Sequence, residues 1–322
     1  MMSFNVGIIG AGAMGTALAQ TIAPNAKVLL YARRSEVAQD INNTRINSQY
    51  FPTVKLHENI VAVDDFKDLK NAEVIFLCIP SSAMRSTIIE LNEIINDKCI
   101  YVNTAKGIEN KTNKRMTEVI EEITQRDAVA FSGPNIASEM VRGLFASATI
   151  ACENNESLEK VKRVLSTDSF KVSAVNDVIG TEFCGIIKNV IAISQGICEG
   201  MDTNYNAKFT LFTKSYAEAK DIIEKIGGKR DTVDNYCGFG DIITASTLSV
   251  SRNQTLGVLY GKGIIVDEEA SNILFEGKNT VVILKKLCDD LNIESSTVNF
   301  VYDIIINRAN PKTAFFDFWD KL

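Results

Sequence analysis

The stretch that decides the fold is "NVGIIGAGAMGTALA", residues 5–19. A short apolar run ends at a glycine, and the glycines of "GAGAMG" (10–15) follow the spacing G-x-G-x-x-G. An alanine-rich segment continues up to Pro24, a residue that a helix interior does not tolerate. The pattern predicts a buried strand, a tight turn and a helix over 13–23, in direct succession.

The first half of the chain repeats this alternation of strand and helix. Short runs rich in β-branched residues predict strands, and helical patterns such as 81–95 and 112–124 lie between most of them. Alternation of this kind is typical of a parallel sheet covered by helices, and the continuous apolar runs indicate strands buried on both faces. The predicted strands are 5–10, 27–32, 60–63, 73–80, 99–105, 128–134, 147–152 and 170–176.

After about Asn176 long helical patterns replace the strands. The predicted fold class is therefore α/β, with an N-terminal Rossmann-type doubly wound sheet followed by an all-helical C-terminal domain. We expect a dinucleotide-binding domain over 1–176 and a helical substrate domain over 177–322. The helices predicted for the second domain are 180–199, 206–226, 240–250, 267–275, 279–291 and 296–308.

At the first strand-to-helix turn, the glycine spacing predicts a dinucleotide site. Glycines permit a tight turn and let a pyrophosphate approach the backbone, while the helix N-terminus offers free N–H groups and a partial positive charge. The cofactor contacts expected on this turn are Gly10, Gly12, Ala13, Met14 and Gly15.

The second predicted strand is followed by Arg33 and Arg34. A site for NAD usually carries an acidic residue there for the ribose 2′-hydroxyl, whereas arginine suits a 2′-phosphate. The sequence therefore favours NADP(H), with NAD(H) as the open alternative.

Composition excludes several classes of function. The net charge of −6 and the pI of about 5.1 argue against nucleic-acid and anionic-membrane partners, which need a basic surface. No run reaches the roughly 18 apolar residues that span a bilayer, and we see no signal peptide. Seven scattered cysteines without a Cys-x-x-Cys motif indicate reduced thiols and a cytoplasmic protein.

The chain has a single histidine, His57. The polar stretch around it indicates that this residue lies at the surface. A histidine-based triad or metal site is therefore not expected, and proton transfer must depend on other side chains. Lys188 is the strongest candidate, because "CGIIKNVIAIS" (184–194) places it inside an apolar helix where a lysine loses hydration unless it is paired or neutral.

Four further stretches carry candidate site residues. "NTAKGIE" (103–109) and "FSGPNIASE" (131–139) both follow predicted strands, at the edge where such sheets bind ligands. "CGFGDIITAS" (237–246) places Asp241 after a glycine turn, and "SRN" (251–253) follows it.

Taken together and in order, these motifs resemble the NAD(P)-dependent sn-glycerol-3-phosphate dehydrogenase family over nearly the whole chain. The quoted matches are "GAGAMGTALA", "YARR", "CIPSS", "AKGIE", "SGPNIASE", "DVIGTEFCGIIKNVIAI", "GFGDIITAS", "SRNQTLG" and Glu276–Gly277. The series of a Lys-Asn helix, a Gly-x-Gly-Asp turn and a Ser-Arg-Asn tripeptide is specific to that family.

The resemblance implies a role for each matching residue. Lys188 corresponds to the family's proton donor and acceptor, and Lys106 to a second lysine on the substrate. From its charge, we predict that Asp241 orients Lys188. The implied substrate contacts are Lys106, Gly133, Asn135, Lys188, Asn189, Asp241, Ser251, Arg252 and Asn253. The implied cofactor contacts, beyond the glycine turn and the two arginines, are Lys106, Ala137, Arg252, Leu274 and Glu276.

The implied reaction is reversible hydride transfer between the cofactor and C2 of dihydroxyacetone phosphate, giving sn-glycerol 3-phosphate for phospholipid synthesis. Lys188 would give the proton to the alkoxide at C2 and recover it in the reverse direction. Arg252 and Asn253 would hold the phosphate. A homodimer is implied by the resemblance as well.

The chain departs from the family pattern at three positions. Ala245 stands where a threonine is usual, Asn204 replaces a usual glycine, and Asn135 replaces the serine of many bacterial members. Two other functions stay open: a relative of the same architecture that acts on a carboxylate, such as a 3-hydroxyacid dehydrogenase, pyrroline-carboxylate reductase or ketopantoate reductase, and a cofactor-binding sensor without turnover.

Overall fold

The computed structural model describes residues 4–247, 251–266 and 276–322. It divides the chain into two compact units, Met1–Val178 and Ile179–Leu322. The division lies two residues beyond the expected domain limit at 176. None of the helices in the described part of the chain is long and apolar enough to cross a membrane.

The first unit is built on one sheet of eight strands in the order β3-β2-β1-β4-β5-β6-β7-β8. The chain passes from one side of β1 to the other, so the glycine turn lies where the strand order reverses, as in doubly wound sheets. The strands are β1 (Phe4–Ile9), β2 (Ala26–Tyr31), β3 (Ile60–Val63), β4 (Val74–Leu77), β5 (Ile100–Asn103), β6 (Ala128–Ser132), β7 (Ala146–Ala151) and β8 (Phe170–Val175).

Six helices accompany the sheet, and alternate strand residues pack into two cores. In β4, for example, Phe76 belongs to the core that includes Leu18 and Ile41, while Leu77 belongs to the core that includes Ile88. Such alternation explains why the strands read as continuous apolar runs. The helices are α1 (Ala13–Ile22), α2 (Ser35–Thr44), α3 (Met84–Asn92), α4 (Met116–Thr124), α5 (Ala137–Met140) and α6 (Asn155–Leu165).

The sheet is parallel except at one pair. β7 runs antiparallel to β6, with Phe131 opposite Ile150, and β8 is parallel to β7. The expectation of a parallel sheet was wrong at this point. The segment between β6 and β7 carries only the one-turn helix α5, so the chain returns beside β6 instead of crossing over the sheet through a long helix.

The described part of the second unit is helical. The predicted helix 240–250 is observed over Asp241–Thr247, with 248–250 outside the described residues, and the predicted helix 267–275 lies outside them altogether. A helix over Arg252–Gly261 was not predicted. The helices are α7 (Val178–Gly200), α8 (Tyr205–Lys225), α9 (Asp241–Thr247), α10 (Arg252–Gly261), α11 (Glu276–Asp290), α12 (Ser296–Ile305) and α13 (Pro311–Trp319).

The last helix, α13, contains most of the aromatic C-terminal stretch "AFFDFWDKL" (314–322), which packs against the second unit. The ring of Phe318 lies 5.8 Å from that of Phe300 in α12, and the ring of Phe315 lies 6.0 Å from it. Pairs of aromatic rings at such distances add to the apolar area that they bury. The aromatic C-terminal stretch is therefore packed within the helical unit.

Helices α7 and α10 meet backbone to backbone at four glycines. A Cβ on Gly196 would lie 2.1 Å from the carbonyl oxygen of Gln254, and a Cβ on Gly257 would lie 2.2 Å from that of Ile193. Gly200 and Gly261 repeat the contact one turn further on, each with a Cβ position 2.3 Å from a carbonyl oxygen of the other helix. Because real atoms cannot approach so closely, the crossing requires glycine at all four places.

The crossing predicts that Gly257→Ala destabilises the protein. The new methyl group must push α10 away from Ile193, and overpacking of this kind costs about 1–3 kcal/mol. Thermal or urea unfolding measures the loss. Thr255→Ala is the matched control, because Thr255 is an exposed residue of the same helix and alanine favours helix formation. Equal stability of the two variants would contradict the crossing.

Candidate active site

The glycine turn joins β1 to α1 and has the geometry that the sequence predicts. Gly10 has a φ of +106°, which favours glycine, and a Cβ on Gly15 would lie 1.8 Å from the carbonyl oxygen of Gly10. Beyond its immediate neighbours in the chain, no described atom lies within 4 Å of the Cβ position of Gly12. The backbone of Gly12 is therefore open to a ligand.

The N-terminus of α1 fits an anionic ligand. Gly12 is the N-cap residue, and no side chain of the described residues caps the helix there. The first N–H groups of a helix otherwise need a partner, and phosphate oxygens supply one. Ala13 and Met14 form the first turn of α1 and are half-buried. Cys78 is packed beside the turn, where burial raises the pKa of its thiol to about 12 and keeps it protonated.

Arg33 and Arg34 follow β2 at the same edge of the sheet and are exposed. The Nη2 atom of Arg34 donates to Oε1 of Gln49 at 2.6 Å, which restricts that side chain. Two exposed guanidinium groups beside the glycine turn provide planar donors for a phosphate monoester.

The loop after β5 brings Lys106 to the loop after β6. The Lys106 ammonium donates to the carbonyl oxygen of Gly133 at 3.0 Å. Asn135 donates through Nδ2 to the carbonyl oxygen of Ser147 at 3.0 Å, while its Oδ1 is buried and accepts no hydrogen bond in the described structure. Three residues expected at the substrate thus lie together, and Ala137 follows them at the start of α5.

Arg85 of α3 holds the loop that follows β5 and contains Lys106, by binding Glu109 in that loop. The sequence did not predict this contact. Its Nε and Nη2 atoms donate to the two carboxylate oxygens of Glu109 at 2.8 and 2.9 Å. The same guanidinium pairs with Glu122 of α4 at 3.0 Å. The hydrogen bonds from Arg85 hold the pKa of Glu109 below its ordinary value, so the Arg85–Glu109 pair is ionised at neutral pH.

In the second unit Lys188 pairs with Asp241. The Nζ atom of Lys188 lies 2.9 Å from Oδ1 of Asp241, and the two side chains are 15% and 3% exposed. Lys188 projects from the apolar helix α7, and Asp241 is the first residue of α9, directly after a π-helical turn over Tyr236–Gly240. The pair fixes the ammonium in one place while limiting its hydration.

A second polar pair lies on the same helix. Asn253 of α10 donates through Nδ2 to Oδ1 of Asn189 at 2.9 Å. A Cβ on Gly277 would lie 2.4 Å from Oδ1 of Asn253. The start of α11 therefore packs directly against the side chain of Asn253. The two adjacent residues therefore bind different later motifs: Lys188 binds Asp241 of "CGFGDIITAS", and Asn189 binds Asn253 of "SRN".

The remaining expected residues are distributed around α10 and α11. Ser251 is the N-cap of α10, and its hydroxyl accepts from the N–H of Gln254 at 3.4 Å. Arg252 is exposed in the first turn, and among the described residues no carboxylate pairs with it. Glu276 begins α11, while Leu274 lies outside the described residues.

Ala245, the departure from the usual threonine, is buried in α9 at 7% exposure. The hydroxyl of the neighbouring Thr244 donates at 2.8 Å to the carbonyl oxygen of Gly240, the last residue of the π-helical turn before α9. In the described part of the chain, no group of three His, Cys, Asp or Glu side chains could hold a metal ion.

The chain matches two family models in succession. Residues 5–158 match the N-terminal model of NAD-dependent glycerol-3-phosphate dehydrogenase, and residues 177–316 match the C-terminal model of the same family. The glycerol-3-phosphate dehydrogenase [NAD(P)+] of Methanothermobacter thermautotrophicus is 36% identical over 98% of each chain. That of Halothermothrix orenii is 33% identical over 97% of this chain and 94% of its own.

A solved structure agrees with these matches. The glycerol-3-phosphate dehydrogenase of Coxiella burnetii superposes with a TM-score of 0.90 at 27% identity, over 99% of each chain. The fold, with a Rossmann-like sheet followed by helices, is therefore that of these enzymes, and the resemblance first noted in the motifs is confirmed. The chain belongs to the NAD-dependent glycerol-3-phosphate dehydrogenase family.

Proposed function

We propose that the protein is an NAD(P)-dependent oxidoreductase that interconverts dihydroxyacetone phosphate and sn-glycerol 3-phosphate. Family membership supports the reaction class. The observation that carries the proposal is the Lys188–Asp241 pair at 2.9 Å, since it places one amine in an apolar helix with a fixed direction. An alcohol dehydrogenation needs such a group to hold the proton of the hydroxyl.

The residues around the glycine turn fit the cofactor. The open backbone at Gly12 and the uncapped N-terminus of α1 suit its pyrophosphate, and Arg33 and Arg34 suit a 2′-phosphate. When bound, the nicotinamide donates or accepts the hydride. The two arginines lead us to favour NADP(H) over NAD(H).

Lys188 is proposed as the general acid and base. Its ammonium gives a proton to the C2 oxygen in the reductive direction, and its amine removes that proton in oxidation. The carboxylate of Asp241 lies 2.9 Å from the Nζ atom of Lys188 and holds it at one place in the apolar helix. The carboxylate also sets the direction of the amine.

The proposed phosphate contacts are Arg252 and Asn253, with Lys106 as a further substrate contact. Arg252 is exposed, and the described residues leave its guanidinium unpaired; a guanidinium can donate two parallel hydrogen bonds to a phosphate. Asn253 is held by Asn189, so its position does not depend on the ligand. We further propose a cytoplasmic homodimer that supplies a phospholipid precursor, as the resemblance implies.

The assay that tests this proposal follows NADPH and NADH oxidation at 340 nm with dihydroxyacetone phosphate, and with dihydroxyacetone as control. We expect turnover that requires the phosphate. Turnover on a 2-keto or 3-keto carboxylate instead would favour the related dehydrogenases and reductases. Binding of NADPH by folded protein without turnover on any of these substrates would favour a sensor.

Removal of the proposed acid and base tests the mechanism. We expect Lys188→Ala to lower kcat by about 10²–10⁴, the usual contribution of a positioned general acid or base. Steady-state kinetics measures the loss. The control is Lys220→Ala, because Lys220 also pairs with a single aspartate, Asp234 at 2.7 Å, and should keep its turnover.

A fold check separates this effect from instability. Lys188→Ala leaves the carboxylate of Asp241 buried without its cation, which is destabilising. The double variant Lys188→Ala/Asp241→Asn removes that charge and should unfold at a higher temperature than Lys188→Ala, while remaining inactive. Near-wild-type turnover in either variant would refute the role of Lys188.

The arginines after β2 predict the cofactor preference. Because charged hydrogen bonds contribute about 1.5–3 kcal/mol, we expect Arg33→Ala and Arg34→Ala to lower kcat/KM for NADPH by roughly 10- to 100-fold and to affect NADH little. Arg163→Ala is the control. Arg163 is exposed and lies over the ring of Phe4, at the other end of β1. An equal loss of kcat/KM with NADPH and NADH would show that neither arginine binds the 2′-phosphate.

A further inference from the structure

The glycine turn between β1 and α1 is hydrogen-bonded by Asn47, a residue that follows α2. Asn47 is 1% exposed, and its Nδ2 atom donates to the carbonyl oxygen of Ala11 at 2.9 Å. The same Nδ2 atom donates to Oγ1 of Thr16 at 2.8 Å. Ala11 lies between two glycines of the turn, and Thr16 lies one helical turn after Gly12. One side-chain amide therefore connects the turn to the helix that it opens.

Asn47 is itself anchored by its backbone. Its carbonyl oxygen accepts from the N–H of Tyr50 at 3.1 Å and from that of Phe51 at 2.8 Å. Phe51 is buried at 9% exposure and belongs to the core of the first unit. The amide of Asn47 thus acts from a fixed position rather than from a free loop.

A glycine-rich turn needs such support. Glycine loses more conformational freedom on ordering than any other residue, and Gly10 has a φ of +106°, which residues with a side chain rarely adopt. A turn that is ordered before the ligand arrives does not lose that freedom on binding, so the affinity for the ligand is higher.

We propose that Asn47 is a positioning residue for the cofactor: it orders the turn at Ala11 so that the N–H groups at Gly12 and the start of α1 are ready for the pyrophosphate. The inference depends on the family's use of NAD(P) and not on the reaction. Since the pyrophosphate is common to both cofactors, Asn47 acts equally on the binding of NADPH and NADH.

The neighbouring Gln49 acts differently. It contacts Arg34 and not the turn, with Nη2 of Arg34 donating to its Oε1 at 2.6 Å. A defect transmitted through that contact would weaken NADPH binding alone. The ratio of the two affinities therefore distinguishes the turn from the arginine.

The experiment measures the Kd of NADPH and of NADH by fluorescence titration of the purified full-length protein, without substrate. We expect Asn47→Ala to raise both Kd values by about tenfold, the usual effect of losing one or two buried hydrogen bonds. Thr16→Val, which keeps the shape and removes one acceptor, should raise both values less. In the turnover assay the KM for the cofactor should rise while kcat at saturation changes little.

Asn59→Ala is the matched control, since Asn59 donates through Nδ2 to the carbonyl oxygen of Ala23 at 2.9 Å, at the other end of α1. It should leave both Kd values unchanged. Unchanged affinity in folded Asn47→Ala, a loss confined to NADPH, or an equal loss in Asn59→Ala would each overturn the proposal. Because binding is measured without substrate, these outcomes do not depend on whether dihydroxyacetone phosphate is turned over.

Discussion

Close approach of one backbone to another is the constraint on which both units depend. At Gly15 a Cβ would lie 1.8 Å from the carbonyl oxygen of Gly10, and at Gly196 it would lie 2.1 Å from that of Gln254. In the first unit this closeness packs the start of α1 against the glycine turn, where we propose that the cofactor binds. In the second it brings α10 against α7, so that Asn253 reaches Asn189. In each unit, positions that carry no side chain thus allow the close approach of two backbones beside the candidate site.

The second unit buries an ion pair, formed by Lys188 and Asp241. An ammonium in an apolar helix loses hydration, and a carboxylate buried beside it restores part of that loss while adding its own cost. Lys188 and Asp241 therefore suit a site whose chemistry needs one proton at one place better than they suit a purely structural role. By contrast, Arg85 pairs with two carboxylates of the first unit, Glu109 at 2.8 Å and Glu122 at 3.0 Å, and is itself 31% exposed.

Much of the fold could be predicted from the sequence, because its signals are local. All eight predicted strands are present within a few residues of their expected limits, since strands buried on both faces read as continuous apolar runs. The direction of β7 could not be read in this way, because it depends on the path of the chain between β6 and β7. Helix α10 was missed because Gly257 and Gly261 stand where a helix of this kind usually shows large apolar residues.

The sequence indicated candidate residues for the site but few of the contacts between them. The motifs and the family resemblance indicated Lys188, Asp241 and Asn253, and the orientation of Lys188 by Asp241 was predicted with them. The hydrogen bond from Asn253 to Asn189, 64 residues apart in the chain, becomes visible only in the structure. Asn47 carried no signal at all, because an asparagine in a polar loop is ordinary and its importance comes from the two atoms that it reaches.

The crossing of α7 and α10 has a consequence for how the sequence can vary. A contact between two side chains can be repaired by a second substitution, since a larger residue on one side is accommodated by a smaller one on the other. Here the opposing atoms are carbonyl oxygens of the main chain, which every amino acid possesses. No change of residue on the facing helix can make room for a methyl group at Gly257. Suppressors of such a defect would have to act elsewhere, by adding stability to the whole unit.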